Sequence, residues 1–195
     1  MKNQNIAIID YGAGNIKSLQ TSLNRFGVNT FLSNKAEELL KADKVIFPGV
    51  GQAKWAMQKL NEHNLCQLIK DLKQPVLGIC LGMQLMCKTT EEGNSEGLGI
   101  FDNEVKLFSN LMKVPHMGWN KIYQLKGSLY NNINNPYVYF VHSYYVNKNK
   151  AMSSVCEYST EFAASLEKDN FFACQFHPEK SGVVGQKIIE NFLKI

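Results

Sequence analysis

The stretch Pro75-Val76-Leu77-Gly78-Ile79-Cys80-Leu81-Gly82-Met83-Gln84-Leu85-Met86-Cys87 decides how the rest of the chain is read. Val76 to Ile79 is a short apolar run, the kind that a strand buried on both faces of a parallel sheet requires. Met83 to Met86 are good helix formers. Between the two, Gly78-x-Cys80-x-Gly82 matches a sharp strand-to-helix elbow that lifts a nucleophile clear of the sheet, with Cys in the place of Ser. A glycine on each side lets neighbouring backbone pass close to the turn. Cys80 would then lie at a helix N-terminus, where the dipole attracts negative charge. Free Cys is most often a small buried hydrophobe. A catalytic reading therefore needs a base, an orienting group and oxyanion donors from elsewhere in the chain.

Outside that stretch, the 195 residues predict one domain, 1–195, and the 45% hydrophobic and 19% charged fractions are those of a globular protein with a real core. The net charge of +4 is spread over scattered Lys and Arg, so no nucleic-acid partner is expected. No apolar run approaches membrane-spanning length, and Met1-Lys2-Asn3-Gln4-Asn5 leads into the first apolar segment without a signal-peptide pattern. The five Cys (66, 80, 87, 156 and 174) show no paired spacing, which predicts reduced thiols in a cytoplasmic protein and no metal site.

Upstream of the elbow the pattern repeats strand and helix. Ile6 to Ile9 reads as a strand and Asp10-Tyr11-Gly12-Ala13-Gly14-Asn15 as a glycine-rich turn, with Asn15 capping a helix from Ile16 to Phe26. The third glycine of a dinucleotide fingerprint is missing, which argues against a nucleotide cofactor. Val28 to Leu32 and Lys44 to Phe47 read as strands, with a short helix from Glu37 to Leu40 between them; segments 53–60 and 62–72 read as helices. That order predicts a doubly wound, flavodoxin-like open sheet, mostly parallel. After the elbow, Thr89 to Gly99 reads as a surface loop. Strand-like pieces follow at 104–108, 121–125, 137–142, 153–157, 162–167 and 171–176, an antiparallel extension in the C-terminal half. Ser181 to Ile195 closes as an amphipathic helix with Val184, Ile188, Ile189 and Phe192 inward.

The base comes from Phe171-Phe172-Ala173-Cys174-Gln175-Phe176-His177-Pro178-Glu179. Residues two apart on extended backbone share a side, so His177 and Glu179 project together: a base and the carboxylate that fixes its tautomer. His63 sits in a polar helical stretch, while His116 and His142 have no neighbouring carboxylate in sequence and read as structural or pocket-lining. The oxyanion donors are the N–H of Leu81 and an N–H from Gly49-Val50-Gly51, both at the C-terminal ends of parallel strands.

Taken together, Gly78-Ile-Cys80-Leu-Gly82-Met-Gln84 with His177-Pro-Glu179 resembles the class I, triad-type glutamine amidotransferases. More narrowly, Asp10-Tyr11-Gly12-x-Gly14-Asn15, Pro48-Gly49-Val50-Gly51, Pro115 to Asn120, Tyr139 to Tyr144 and Phe176 to Ser181 are similar to the glutaminase subunits of imidazole glycerol phosphate synthases. The resemblance implies that Cys80 attacks the amide of glutamine, and that Gln84, Ser143 and Tyr144 hold its amino-acid end. It implies no cofactor and a (β/α)8-barrel cyclase partner that receives the ammonia in histidine biosynthesis, faced by Asn15, Trp119 and Lys180. The departure from the family pattern is Gln52-Ala53 after PGVG, where Ala-Phe is usual. An alternative acceptor, a sugar-nucleotide amidotransferase making amidino sugars, uses the same glutaminase half. A non-catalytic subunit on the same fold is argued against by the complete Cys80, His177 and Glu179 set, and a thiol hydrolase of peptides or esters by the resemblance at Gln84 and Ser143. The glycines flanking Val50 let the Gly49–Val50 peptide rotate, which predicts a glutaminase switched on by its partner.

Overall fold

The computed structural model describes residues 3–195. Strand β1 (Asn5–Ile9) leads through helix α1 (Ile16–Asn24) to β2 (Asn29–Ser33), and helix α2 (Ala36–Lys41) leads to β3 (Lys44–Gly49). Helices α3 (Ala53–Glu62) and α4 (Leu65–Asp71) then connect to β4 (Val76–Cys80), which turns directly into α5 (Leu81–Leu85). Seven strands follow: β5 (Cys87–Thr90), β6 (Ser95–Glu96), β7 (Phe101–Leu107), β8 (His116–Tyr123), β9 (Tyr137–His142), β10 (Tyr144–Val146) and β11 (Met152–Tyr158). Then β12 (Thr160–Lys168) and β13 (Phe171–Cys174) lead to helix α6 (Gly182–Lys194).

The centre is five parallel strands in the order β2-β1-β3-β4-β13, the flavodoxin-like order that the sequence predicts. Its two faces are covered by different helices. Ile6, Ile8, Ile46, Leu77 and Ile79 pack with Leu19 and Leu23 of α1 and with Ile188 and Phe192 of α6. Ala7, Ile9, Val45 and Phe47 pack with Leu39 of α2, Ala56 and Leu60 of α3 and Ile69 of α4. Each fully buried Leu, Ile or Phe side chain contributes about 1.5–3 kcal/mol relative to exposure, so both layers hold the central strands in place. From β13 the sheet continues antiparallel through β12, β10 and β7, and a branch from β12 runs antiparallel through β11, β8 and β9.

Several expectations change. Helix α1 stops at Asn24, before Phe26, and Asn15 makes no side-chain capping hydrogen bond. The elbow helix is one short turn that gives way at Cys87 to β5, so the segment 89–99 is not all loop: Thr89 and Thr90 pair with Glu104 and Val105 of β7 and with β6. Strand β8 begins at His116 and so takes in the whole of His116 to Asn120, while β10 adds a strand that the sequence pattern leaves unmarked. These strands are three to eight residues long and exist because partners lie beside them, not because of local propensity.

Candidate active site

Cys80 stands at the end of β4 with φ 55° and ψ −111°, a backbone conformation that costs a non-glycine residue about 1–3 kcal/mol and persists only where the surroundings impose it. The surroundings here are closely packed backbone and side chains. A Cβ on Gly82 would strike the carbonyl oxygen of Phe47, and one on Gly49 would lie 2.8 Å from Leu81 Cβ. A Cβ on Gly78 would lie 2.8 Å from Met86 Sδ and 3.1 Å from Met83 N. The elbow glycines thus let α5 sit directly on the ends of β3 and β4. In the parallel register Gly49 lies abreast of Cys80. Leu81 is the first residue of α5, and its N–H is one of the helix-terminal donors with no intrahelical acceptor. Tyr11, 1% exposed, donates its hydroxyl to Pro48 O at 2.9 Å, anchoring the start of the Gly49-Val50-Gly51 segment.

His177 follows β13 and comes to the same edge. Its Nδ1 lies 2.9 Å from Glu179 Oε1, with both side chains 3% exposed. A carboxylate accepts, so Nδ1 carries the proton and Nε2 is turned to Cys80. The main chain of His177 is tied at both ends: its N–H donates to Tyr139 O at 2.9 Å, and its carbonyl accepts from the Ser181 hydroxyl at 2.7 Å. Burial alone would push this imidazole down. The hydrogen bonds and charges of Cys80 and Glu179 outweigh it and raise the pKa to about 10, favouring the imidazolium. Nε2 makes no hydrogen bond of good geometry, so the action of the sulfur on it is that of a near, imperfectly aligned partner. Such alignment tightens when substrate is bound.

Cys80 and His177 open on a cleft of ≈ 320 Å³, whose other walls include Val50, Gly51, Leu81, Gln84, Glu92, His142, Ser143 and Tyr144. The cleft therefore brings together the expected nucleophile and base, Val50 and Gly51 of the expected oxyanion segment, and all three expected glutamine contacts. Gln84 is 5% exposed, and its amide nitrogen donates to Tyr144 O at 3.0 Å and to Gln175 Oε1 at 2.9 Å. Both amide hydrogens are committed, which leaves Oε1 as the free acceptor for a cationic ligand group. Glu92 accepts the Ala53 N–H through Oε2 at 2.7 Å, and burial raises its pKa despite that bond.

The expected partner-facing residues divide. Trp119 is 57% exposed and lies edge-on to Tyr139 at 6.2 Å, and Lys180 Nζ sits 5.9 Å over the same Tyr139 ring. Asn15 lines a small cavity with Val50, His177 and Glu179. Two site residues escape the sequence reading. Gln175 is fully buried and donates Nε2 to Cys80 Sγ at 3.7 Å; its signal is a lone amide in the apolar run Phe171–Phe176, two residues from His177. Glu92 falls in the segment whose sequence reads as surface loop. His142 lies in the cleft as expected of a pocket-lining residue, and His116 is buried behind it. Among the described residues no cluster of three or more His, Cys, Asp or Glu could hold a metal ion.

The profile of the class-I glutamine amidotransferase family matches residues 7–195. An imidazole glycerol phosphate synthase subunit HisH of Bacteroides fragilis is 52% identical over 194 residues, covering 97% of this chain and 99% of that protein. The subunit of the same name from Escherichia coli is 43% identical over 195 residues, covering 98% and 100%. Among solved structures, a GMP synthase subunit from Thermoplasma acidophilum superposes with a TM-score of 0.77 at 20% identity, covering 100% of this chain and 94% of that one. PurLQS of Thermotoga maritima gives 0.73 at 16%, covering 100% and 99%. At that identity the two structures share the fold.

Proposed function

The chain belongs to the class-I glutamine amidotransferase family, and from that membership we propose that it is the glutaminase subunit of an imidazole glycerol phosphate synthase, acting as one domain. It hydrolyses glutamine in the cleft and hands the ammonia to its synthase partner for histidine biosynthesis. The partner is a (β/α)8-barrel cyclase subunit in a heterodimer, docked over the face that carries Trp119, Tyr139 and Lys180, with Asn15 beside the catalytic base. The protein works in the cytoplasm without cofactor, nucleic acid or membrane. No helix among the described residues is long and apolar enough to span a bilayer.

The observation that carries the reading is a buried His177–Glu179 pair facing a cysteine held on a strained elbow in one cleft. The Cys80 thiolate attacks the side-chain carbonyl carbon of glutamine. The developing oxyanion is received by the Leu81 N–H and a donor from Gly49-Val50-Gly51, each worth roughly 10²–10³ in rate. Collapse expels ammonia, which takes its proton from the His177 imidazolium, and leaves a glutamyl thioester on Cys80. Water then attacks the thioester, His177 takes the proton, and glutamate leaves as the thiol is regenerated. Glu179 keeps His177 in the tautomer that serves both steps. The Gln84 Oε1 accepts a hydrogen bond from the α-ammonium and the Glu92 carboxylate supplies negative charge beside it, and Ser143 and Tyr144 close the amino-acid end.

Cys80→Ala tests the assignment in the assembled synthase. Glutamine-dependent synthesis is expected to disappear while synthesis from added ammonia continues, because the second chemistry belongs to the partner. Residual glutaminase turnover in that variant would overturn the role of Cys80.

A further inference from the structure

We infer that His116 and His142 form a neutral imidazole pair with locked tautomers, positioning residues that hold the Val141–Tyr144 wall of the cleft while leaving His177 as its one base. The chain of hydrogen bonds starts at Tyr144 O, which accepts from His142 Nδ1 at 2.8 Å as well as from Gln84 at 3.0 Å. A carbonyl only accepts, so the proton of His142 is on Nδ1. His142 Nε2 lies 2.9 Å from His116 Nδ1, and with a lone pair on the first, the second must be the donor. His116 Nε2 is then an acceptor, and Asn120 Nδ2 lies 3.3 Å from it.

The far end is set independently. Asn120 Oδ1 accepts the Lys121 N–H at 2.8 Å and Nδ2 donates to Glu157 O at 3.0 Å, so the amide presents its nitrogen to His116 whatever the histidines do. Both ends impose the same polarity, and the links between them close only if each ring carries one proton. An added proton on either ring puts two donors face to face. The rings are 3% and 6% exposed and pack among Phe108, Phe140, Tyr158 and Phe162. Neither meets a carboxylate among the described residues; the titratable neighbours are Tyr158, stacked on His116, and His177 across the cleft. Burial lowers the pKa of His116 to about 4 and that of His142 to about 3.

Two consequences meet at the cleft. The Tyr144 carbonyl, held by two donors, fixes the start of β10, and the adjoining end of β9 places Val141 O 3.9 Å from Cys80 Sγ. A histidine beside the nucleophile that cannot take a proton does not compete for the one that moves between Cys80 and His177.

Histidine-labelled nitrogen NMR on the full chain, alone and bound to the cyclase, reads the tautomers directly. With four histidines in the chain, the His116→Asn and His142→Gln variants assign the signals. His116 and His142 are expected as Nδ1–H tautomers that do not titrate between about pH 5.5 and 8.5. A proton on His142 Nε2, or titration of either ring in that range, would overturn the pair. The kinetic arm alone rests on the glutaminase reading. His116→Phe keeps the stack and removes both links, and is expected to raise KM for glutamine about tenfold with kcat changed less than about threefold. His116→Asn restores a donor near the Nδ1 position and should return most of the loss; equal KM in all three proteins would overturn the positioning role. Correct tautomers in a chain without glutaminase activity would instead fault the functional reading and leave the pair standing.

Discussion

The two halves of the sheet follow opposite rules. In the parallel half every residue of β3, β4 and β13 is buried, because helices cover both faces. In the extension, β8 alternates: His116 and Ile122 point into the core while Met117, Trp119 and Lys121 face out. The first half is rigid and ends in a row of backbone turns, which suits chemistry that must be held still. The second offers a face half in water, which suits recognition. The prediction from that division is that damage in the parallel half lowers kcat, and damage on the outer face of the extension loosens the complex.

The largest effect should come from the base. His177→Ala is expected to lower kcat on the order of 10⁴–10⁶-fold, and Glu179→Ala less, on the order of 10²–10⁴, since the orienter can be lost while nucleophile and base remain. Steady-state glutamine hydrolysis by the complex checks the order, and a larger loss for Glu179→Ala would reverse the two roles. The same pair carries a pH signature. The His177 pKa is raised in the fold from 6.5 to about 10, so its stabilisation is complete below about pH 6.5 and is lost as pH climbs through about 10. In urea denaturation the stability difference between wild type and His177→Gln should shrink over that window; a constant difference would refute the charged pairing.

Next comes the coupling of the halves. Val50 is 40% exposed beside Gly51 at φ +94°, so the proposed oxyanion segment lies at the exposed border of the parallel half. The isolated chain is expected to hydrolyse glutamine on the order of 10²–10³-fold more slowly than the complex with acceptor bound, the loss of one oxyanion donor. Equal rates for the chain, the complex and the complex with acceptor would remove the switch. By linkage, the partner can drive it only by binding the active orientation more tightly.

Trp119→Ala should weaken association with the cyclase about 10–100-fold, as an interfacial aromatic anchor does, while urea stability of the isolated chain stays near wild type because the ring is mostly exposed. Titration calorimetry decides it, and an unchanged Kd would take Trp119 out of the interface. The smallest effect is Tyr11→Phe. It leaves Pro48 O without its donor and should cost about 1–3 kcal/mol of stability by urea denaturation; no loss would show that the oxyanion segment is anchored elsewhere.

The same division explains what could be read in advance. Ile6 to Ile9, Val45 to Phe47 and Val76 to Ile79 announce themselves because a strand buried on both faces is an unbroken apolar run. Cys80, His177 and Glu179 are legible because elbow and strand end are local patterns. Strands β5 and β10 and the first part of β8 are not, since Cys87–Thr90, Tyr144–Val146 and His116–Asn120 become strands only once distant partners lie alongside. Gln175 hides within an apolar strand, and Glu92 reaches the cleft from a segment polar enough to pass for solvent-exposed turn.

The register that sets Gly49 abreast of Cys80 has a mechanical consequence. The gap between the proposed nucleophile and the proposed oxyanion segment is one inter-strand step, about 4.7–4.9 Å, a length set by main-chain hydrogen bonding. Repacking the side chains above or below the sheet can tilt or loosen the site but cannot lengthen that step without pulling β3 from β4. Variation in this enzyme should therefore accumulate freely in the layers on either side, while the dimension that governs bond-making is carried, like a gauge block, by the sheet itself.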